Sequence, residues 1–138
     1  DSGFIFAKVP KELTEKAETL LNFVGLFQKR KLRAGDLSFG QQKLLELAMA
    51  LMNEPKMLLL DEPTAGINPT LINGIIDRLI KVNSEYGITL LVIEHNMRVI
   101  MSLAKKIFCL ANGKMLAVGS PDQIKNDKRV VDAYLGAQ

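Results

Sequence analysis

With a single cysteine in 138 residues, the chain has nothing to pair it with, so an internal disulfide framework is excluded. Cys109 sits in the apolar run Ile107-Phe108-Cys109-Leu110, where a buried, inert thiol and a reducing compartment are expected. Long apolar runs are also missing. The two longest, Met57 to Leu60 and Ile88 to Ile93, fall far short of the roughly 20 residues that a membrane-spanning helix needs. Charge of one sign is scarce as well: 18 Lys and Arg face 15 Asp and Glu, too small an excess for a nucleic-acid footprint, so no nucleic-acid partner is expected. The one dense basic stretch, Lys29, Arg30, Lys31 and Arg33, reads as a solvated loop or helix end. There is no internal repeat, low-complexity tract or signal peptide, and the chain opens at Asp1 without a methionine, which suggests that upstream residues were removed or omitted. What is present is 48% apolar composition, enough for one compact unit with a core.

Between Pro10 and Gly25, Leu13, Ala17, Leu20, Leu21 and Val24 recur at helical spacing, and Gly25 is placed to end the helix. Leu44, Leu47, Ala48, Leu51 and Met52 form a second stripe, closed at Asn53-Glu54-Pro55 because proline disfavours helix in the residue before it. The character then changes. Met57-Leu58-Leu59-Leu60 is a short, wholly apolar run, as expected of a strand covered on both faces. Asn68-Pro69 supplies a cap and first-turn proline for a helix through Ile72, Ile75, Ile76 and Leu79, ending near Gly87, and a second buried strand follows from Ile88 to Ile93. This is a βαβ unit with parallel strands. Asn96 caps a further helix; Asn112-Gly113 marks a hairpin between Lys106–Ala111 and Lys114–Val118 that continues the sheet. Ser120-Pro121-Asp122-Gln123 has capping-box spacing, and Val130 to Leu135 reads as a last helix.

Parallel strands present their C-terminal ends at one sheet edge, where α/β proteins bind ligands. One strand here runs into Asp61-Glu62-Pro63 and the other into Glu94-His95, the only histidine in the chain. Two acids and an imidazole converging at one edge suit a phosphate enzyme, with Asp61 anchoring Mg²⁺ through its water shell and Glu62 polarising the attacking water. Singly, each feature also fits a plainer role, a solvated turn for the acids and a structural residue for the histidine. Leu37-Ser38-Phe39-Gly40-Gln41 adds a hydroxyl, a glycine and an amide at a helix start, a ready phosphate site or else an ordinary Ser-capped turn. Gly35 and Gly40 have the spacing of the two P-loop glycines, but Gln41-Gln42 follow where Lys and Ser or Thr would be required.

Taken together, Leu37-Ser38-Phe39-Gly40-Gln41, Leu58-Leu59-Leu60-Asp61-Glu62-Pro63-Thr64-Ala65-Gly66 and Ile93-Glu94-His95 resemble the ATP-binding cassette (ABC) ATPases in order, spacing and wording. In that family these are the signature motif, the Walker B strand with its catalytic glutamate and D-loop, and the switch-histidine loop. The resemblance covers the whole chain and implies an α/β fold: part of the helical subdomain over residues 1–55, then the C-terminal half of a P-loop NTPase-type core over residues 56–138. It further implies that Asp61 binds Mg²⁺ through water, that Glu62 activates water and that His95 contacts the γ-phosphate of ATP. Ser38, Phe39, Gly40 and Gln41 would face the nucleotide of a second ATPase subunit in a head-to-tail dimer, with Asn68 in the D-loop at that interface. Phe39 stands where the family usually has glycine, and Asn68 where many members have Asp.

The wording Ala65-Gly66-Ile67-Asn68-Pro69, Glu94-His95-Asn96-Met97 and Ala133-Tyr134-Leu135-Gly136 is most similar to the ATPases of branched-chain amino acid importers; lipopolysaccharide-export ATPases have a similar ending. The implied whole protein is a cytoplasmic ATPase, peripheral on the inner face of the membrane and bound to separate transmembrane permease subunits. The family's Walker A loop, adenine-stacking aromatic and glutamine loop have no counterpart here, so the fragment alone is expected to bind ATP poorly and hydrolyse none, and to carry unpaired sheet edges. The alternatives are a non-catalytic interaction fragment and, less well supported without a heptad-patterned coiled coil, a DNA-repair ATPase.

Overall fold

A computed structural model describes residues 9–135; Asp1 and Gly136, both used in the sequence reading, lie outside them. Helix α1 (Lys11–Phe23) ends in a left-handed turn at Gly25, φ 77°, where the Leu26 N–H donates to the Leu21 carbonyl at 2.7 Å. The positive φ favours glycine there; a Cβ would also lie 2.8 Å from the Arg78 guanidinium, the mobile end of a long side chain that would have to move aside. Leu20 and Val24 carry the helix's buried face, while Leu13, at the start of the same stripe, is exposed. Two short 3₁₀ turns (Phe27–Lys29 and Ala34–Asp36) lead through the exposed basic stretch to α2 (Phe39–Leu51).

Strand β1 (Met57–Asp61), helix α3 (Pro69–Ser84) and strand β2 (Thr89–Ile93) form the expected βαβ unit. The strands are parallel, with Met57 opposite Thr89 and Asp61 opposite Ile93. Asn68 caps α3 by accepting from the Thr70 N–H at 3.0 Å, and Pro69 occupies the first turn. Helix α4 (Met97–Leu103) is capped by Asn96, whose Oδ1 accepts from the N–H groups of Arg98 and Val99.

One expectation fails here. Neither strand is covered on both faces: Leu59 is 72% and Ile93 62% exposed, and Met57 and Leu91 are exposed beside them. Side chains alternate along a strand, and among the described residues the helices pack only on the face of Leu58, Leu60 and Leu90. The apolar run was read correctly as strand, but its second covering is not found in the described residues.

The sheet also does not continue into the hairpin. Strands β3 (Ile107–Ala111) and β4 (Lys114–Gly119) pair antiparallel as a separate two-stranded sheet, with a bulge after Cys109. Asn112 and Gly113 both have positive φ, 49° and 72°, the type I′ geometry that suits a two-residue turn. The hairpin packs instead on α5 (Pro121–Asn126) and α6 (Lys128–Val130), which runs on into a π-helical turn, Val131–Leu135. The Ser120 and Gln123 capping box forms as read. Cys109 is buried and free; burial pushes its thiol above the ordinary value, and the Asp127 carboxylate adds to the shift.

Two cores result. The larger draws Leu20 from α1 and Val24 from its C-cap, Leu47, Ala48 and Leu51 from α2, and Ile72, Ile75, Ile76, Leu79 and Val82 from α3 onto Leu58, so it spans residue 55 without a break. The smaller joins Ile107, Cys109 and Ala117 to Ile124 and Val130. Leu79, 2% exposed, is among the most deeply buried large side chains of the larger core. Leu79→Ala is expected to lower stability by about 3 kcal/mol, which equilibrium urea unfolding of the chain would read as a lower midpoint at unchanged slope.

Candidate active site

Because β1 and β2 are in parallel register through Asp61 and Ile93, the residues that leave them emerge side by side. The ladder runs one step further: the Glu62 N–H donates to the Ile93 carbonyl at 2.8 Å. Glu62 itself takes φ 47°, a left-handed conformation that costs a residue with a Cβ about 1–2 kcal/mol. The chain thereby turns sharply, and the Ala65 N–H returns to the Glu62 carbonyl at 3.0 Å. The outcome is that His95 Nδ1 lies 3.1 Å from Glu62 Oε1, both side chains being open to solvent. With Glu62 ionised, Nδ1–H donates to it, which fixes the ring plane and leaves Nε2 for another group.

Asp61 is exposed at the end of β1 and, among the described residues, takes part in no ion pair within 4 Å. Its donor chemistry fits Mg²⁺, which is held through one or two carboxylates, water and substrate phosphate rather than a protein cage. The described residues contain no cluster of three or more metal-ligating side chains.

Ser38 is the N-cap of α2. Its hydroxyl accepts from the Gln41 N–H at 3.4 Å, while Gln41 Oε1 accepts from the Ser38 N–H at 3.1 Å, a reciprocal capping box. The plain reading of a Ser-capped helix start is therefore realised, and the Ser38 O–H proton stays available because the cap uses only a lone pair. Ser38→Ala is expected to cost about 1 kcal/mol in thermal unfolding, and Ser38→Asp to recover it.

Phe39, the ring in place of glycine, does not disturb this turn. It lies across Gly66, where a Cβ would come within 3.3 Å of Phe39 Cε1, and Lys43 Nζ sits 5.6 Å above the ring. Gly40 is buried against Ile67 and Leu71, a Cβ there meeting Leu71 Cδ1 at 3.2 Å. The Ser38–Gln41 turn thus rests on the loop that leaves Glu62. Asn68 has its carbonyl oxygen occupied in the α3 cap, taking bonds from both the N–H and the hydroxyl of Thr70.

Sequence reasoning missed two features. The Ser38 and Gln41 pair has the same Ser-x-x-Gln spacing that was recognised at Ser120, so the signal was present. The second is Glu94, which no motif or periodicity in the sequence singles out. Its Oε1 accepts from both the N–H (3.1 Å) and the hydroxyl of Thr64, and Oε2 from the Asn96 N–H at 3.4 Å.

A parallel strand, helix, strand unit with Glu62 and His95 in contact at one sheet edge, beside Asp61, is an α/β arrangement whose candidate ligand site lies at the carboxyl ends of its strands. Comparison with known proteins narrows the reading. Residues 4–65 match the ABC transporter family, and residues 114–138 match the branched-chain amino acid ATP-binding cassette transporter family. The chain is 38% identical over 131 residues to the probable branched-chain amino acid transport ATP-binding protein LivG of Archaeoglobus fulgidus, covering 95% of this chain and 51% of that protein. It is 39% identical, with the same coverage, to the high-affinity branched-chain amino acid transport ATP-binding protein BraF of Pseudomonas aeruginosa. The ADP conformation of an ATP-binding cassette of an ABC transporter superposes with a TM-score of 0.84 at 36% identity, over 96% of this chain and 53% of that one. The chain is similar to ABC transporter ATP-binding proteins along nearly all of its length, and it spans about half the length of the curated relatives it matches.

Proposed function

We propose that the protein carrying this chain hydrolyses ATP to drive the uptake of a branched-chain amino acid. The observation that carries the reading is the 3.1 Å contact between His95 and Glu62 beside Asp61, at the edge where two parallel strands end. Support for the solute comes from the match of residues 114–138 and from the names of the relatives.

In this reading Glu62 takes the proton of the water that attacks the γ-phosphorus, and ADP leaves. His95, oriented through Nδ1, presents Nε2 to the γ-phosphate. Asp61 would hold Mg²⁺ through water, and the ion would supply positive charge to offset that of the phosphates. Ser38 donates its free O–H, Gly40 its backbone N–H and Gln41 its side-chain Nε2–H toward a nucleotide on a second ATPase subunit in a head-to-tail dimer; Phe39 and Asn68 lie at that interface. Residues 1–55 contribute part of the helical subdomain and residues 56–138 the C-terminal half of the catalytic core. No helix among the described residues is long and apolar enough to cross a membrane. In this reading separate transmembrane subunits form the path for the solute, and the ATPase sits on the inner face of the membrane. Alone, the chain binds ATP weakly, because none of its segments offers a glycine-rich loop with the lysine that cradles the phosphates.

The test is reconstitution of the full-length protein with its transmembrane subunits in liposomes. ATP-dependent accumulation of leucine, isoleucine or valine is the expected result. ATP hydrolysis with no such accumulation would reject the solute, and absence of hydrolysis would reject the enzyme.

A further inference from the structure

We infer that Glu94 is a positioning residue that locks the catalytic turn, an inference that rests on the hydrolytic reading above. Successive residues at the end of β2 point to opposite sides: His95 faces outward to Glu62, and Glu94 turns under the sheet edge. There it meets Thr64, 5% exposed and the one polar residue buried to that degree among the described residues. Both Thr64 donors, N–H and hydroxyl, end on a single oxygen, Glu94 Oε1.

The bonds join the two loops that carry the chemistry. Thr64 lies two residues after Glu62, within the turn closed by Ala65 N–H on the Glu62 carbonyl; Glu94 immediately precedes His95. Glu62 holds an unfavourable left-handed conformation, and such a conformation persists only where its surroundings over-determine it. The ladder bond to Ile93 fixes the start of the turn and Glu94 fixes its far side. Helix capping does not explain Glu94, because Asn96 supplies the cap of α4. Nor does an ion pair, since its partners are neutral donors. Without Glu94, two buried Thr64 donors lose their acceptor and the turn is free to relax, carrying Glu62 away from His95.

Steady-state ATPase kinetics of the full-length protein, with the folded fraction measured in parallel, test this. Glu94→Ala is expected to lower kcat roughly 10- to 100-fold per folded molecule while KM for ATP stays within about twofold, as a misplaced but still loaded site requires. Glu94→Gln keeps the Oε1 acceptor and is expected to restore kcat to within about threefold of the wild type. Thr64→Val, which loses the hydroxyl bond but keeps the backbone N–H bond to Glu94, is expected to reproduce part of the loss, and the double variant to be no worse than Glu94→Ala alone. Additive losses, or a Glu94→Ala protein that is less stable but turns over normally per folded molecule, would overturn the clamp. If Glu94→Ala does not fold, Glu94→Asp against Glu94→Gln decides: the shortened acid loses turnover that the amide retains, and equal turnover overturns the inference. Wild-type protein that hydrolyses no ATP would bring down the functional reading itself, an outcome distinct from normal turnover in the variants.

Discussion

Glu62→Gln in the full-length protein is expected to lower ATP turnover by roughly 10²- to 10⁴-fold, the range typical of losing a general base, while nucleotide binding survives. The substitution is isosteric. Gln accepts the same left-handed backbone at φ 47° with no new clash, and the Ile93 and Ala65 backbone bonds do not involve the side chain. His95 Nδ1–H also keeps an acceptor in the amide oxygen, so the geometry of the site persists. What disappears is the basicity that draws a proton from water. The variant should therefore hold ATP without consuming it, which filter binding and phosphate release measured on one preparation would show. Wild-type turnover in this variant would move the base elsewhere; loss of binding as well would mean that Glu62 shapes the site rather than acting on water.

The parts of the fold governed by local rules were legible. Pro10, Gly25, Asn68-Pro69, Asn96, Asn112-Gly113 and Ser120 each announce an element boundary through a cap, a fixed φ or a positive φ, and the structure places a boundary at each. The strands were legible as strands because Met57 to Leu60 and Ile88 to Ile93 are too short and too apolar for surface helices. What those runs could not convey is which face is covered, since an apolar residue records a tendency to be buried and not the presence of a neighbour; Leu59 and Ile93 remain exposed. The pairing of β3 and β4 with each other alone was equally invisible, because a hairpin signal specifies its turn and not its outer partner.

At the site, the meeting of Glu62 and His95 followed from parallel register, a topological rule that needs no side-chain detail. The Thr64 contact of Glu94 did not follow. It depends on a side chain turning under the sheet edge to a residue 30 positions away, and no periodicity encodes that. The left-handed backbone of Glu62 was hidden for a similar reason: a non-glycine residue advertises no positive φ, and only the tertiary contacts around the turn impose it.

His95→Ala is expected to reduce turnover by about 10²-fold, less than Glu62→Gln at its upper range, and by a different route. Removing the ring leaves Glu62 basic but frees its carboxylate from its only side-chain partner among the described residues. The water is then still activated, although from an unfixed direction, and the γ-phosphate loses the donor expected at Nε2. Two consequences separate this loss from that of Glu62. Residual turnover in His95→Ala should fall again when Glu62→Gln is added, because a base remains to be lost; adding His95→Ala to Glu62→Gln should cost less than His95→Ala alone, because no base is left to orient and only the Nε2 donor is removed. His95→Gln, which offers an amide donor at comparable reach, should recover part of the rate. If His95→Ala retains wild-type kcat in the full-length protein, the 3.1 Å contact is a surface pairing without catalytic weight, and the proposed hydrolytic centre at the sheet edge fails with it.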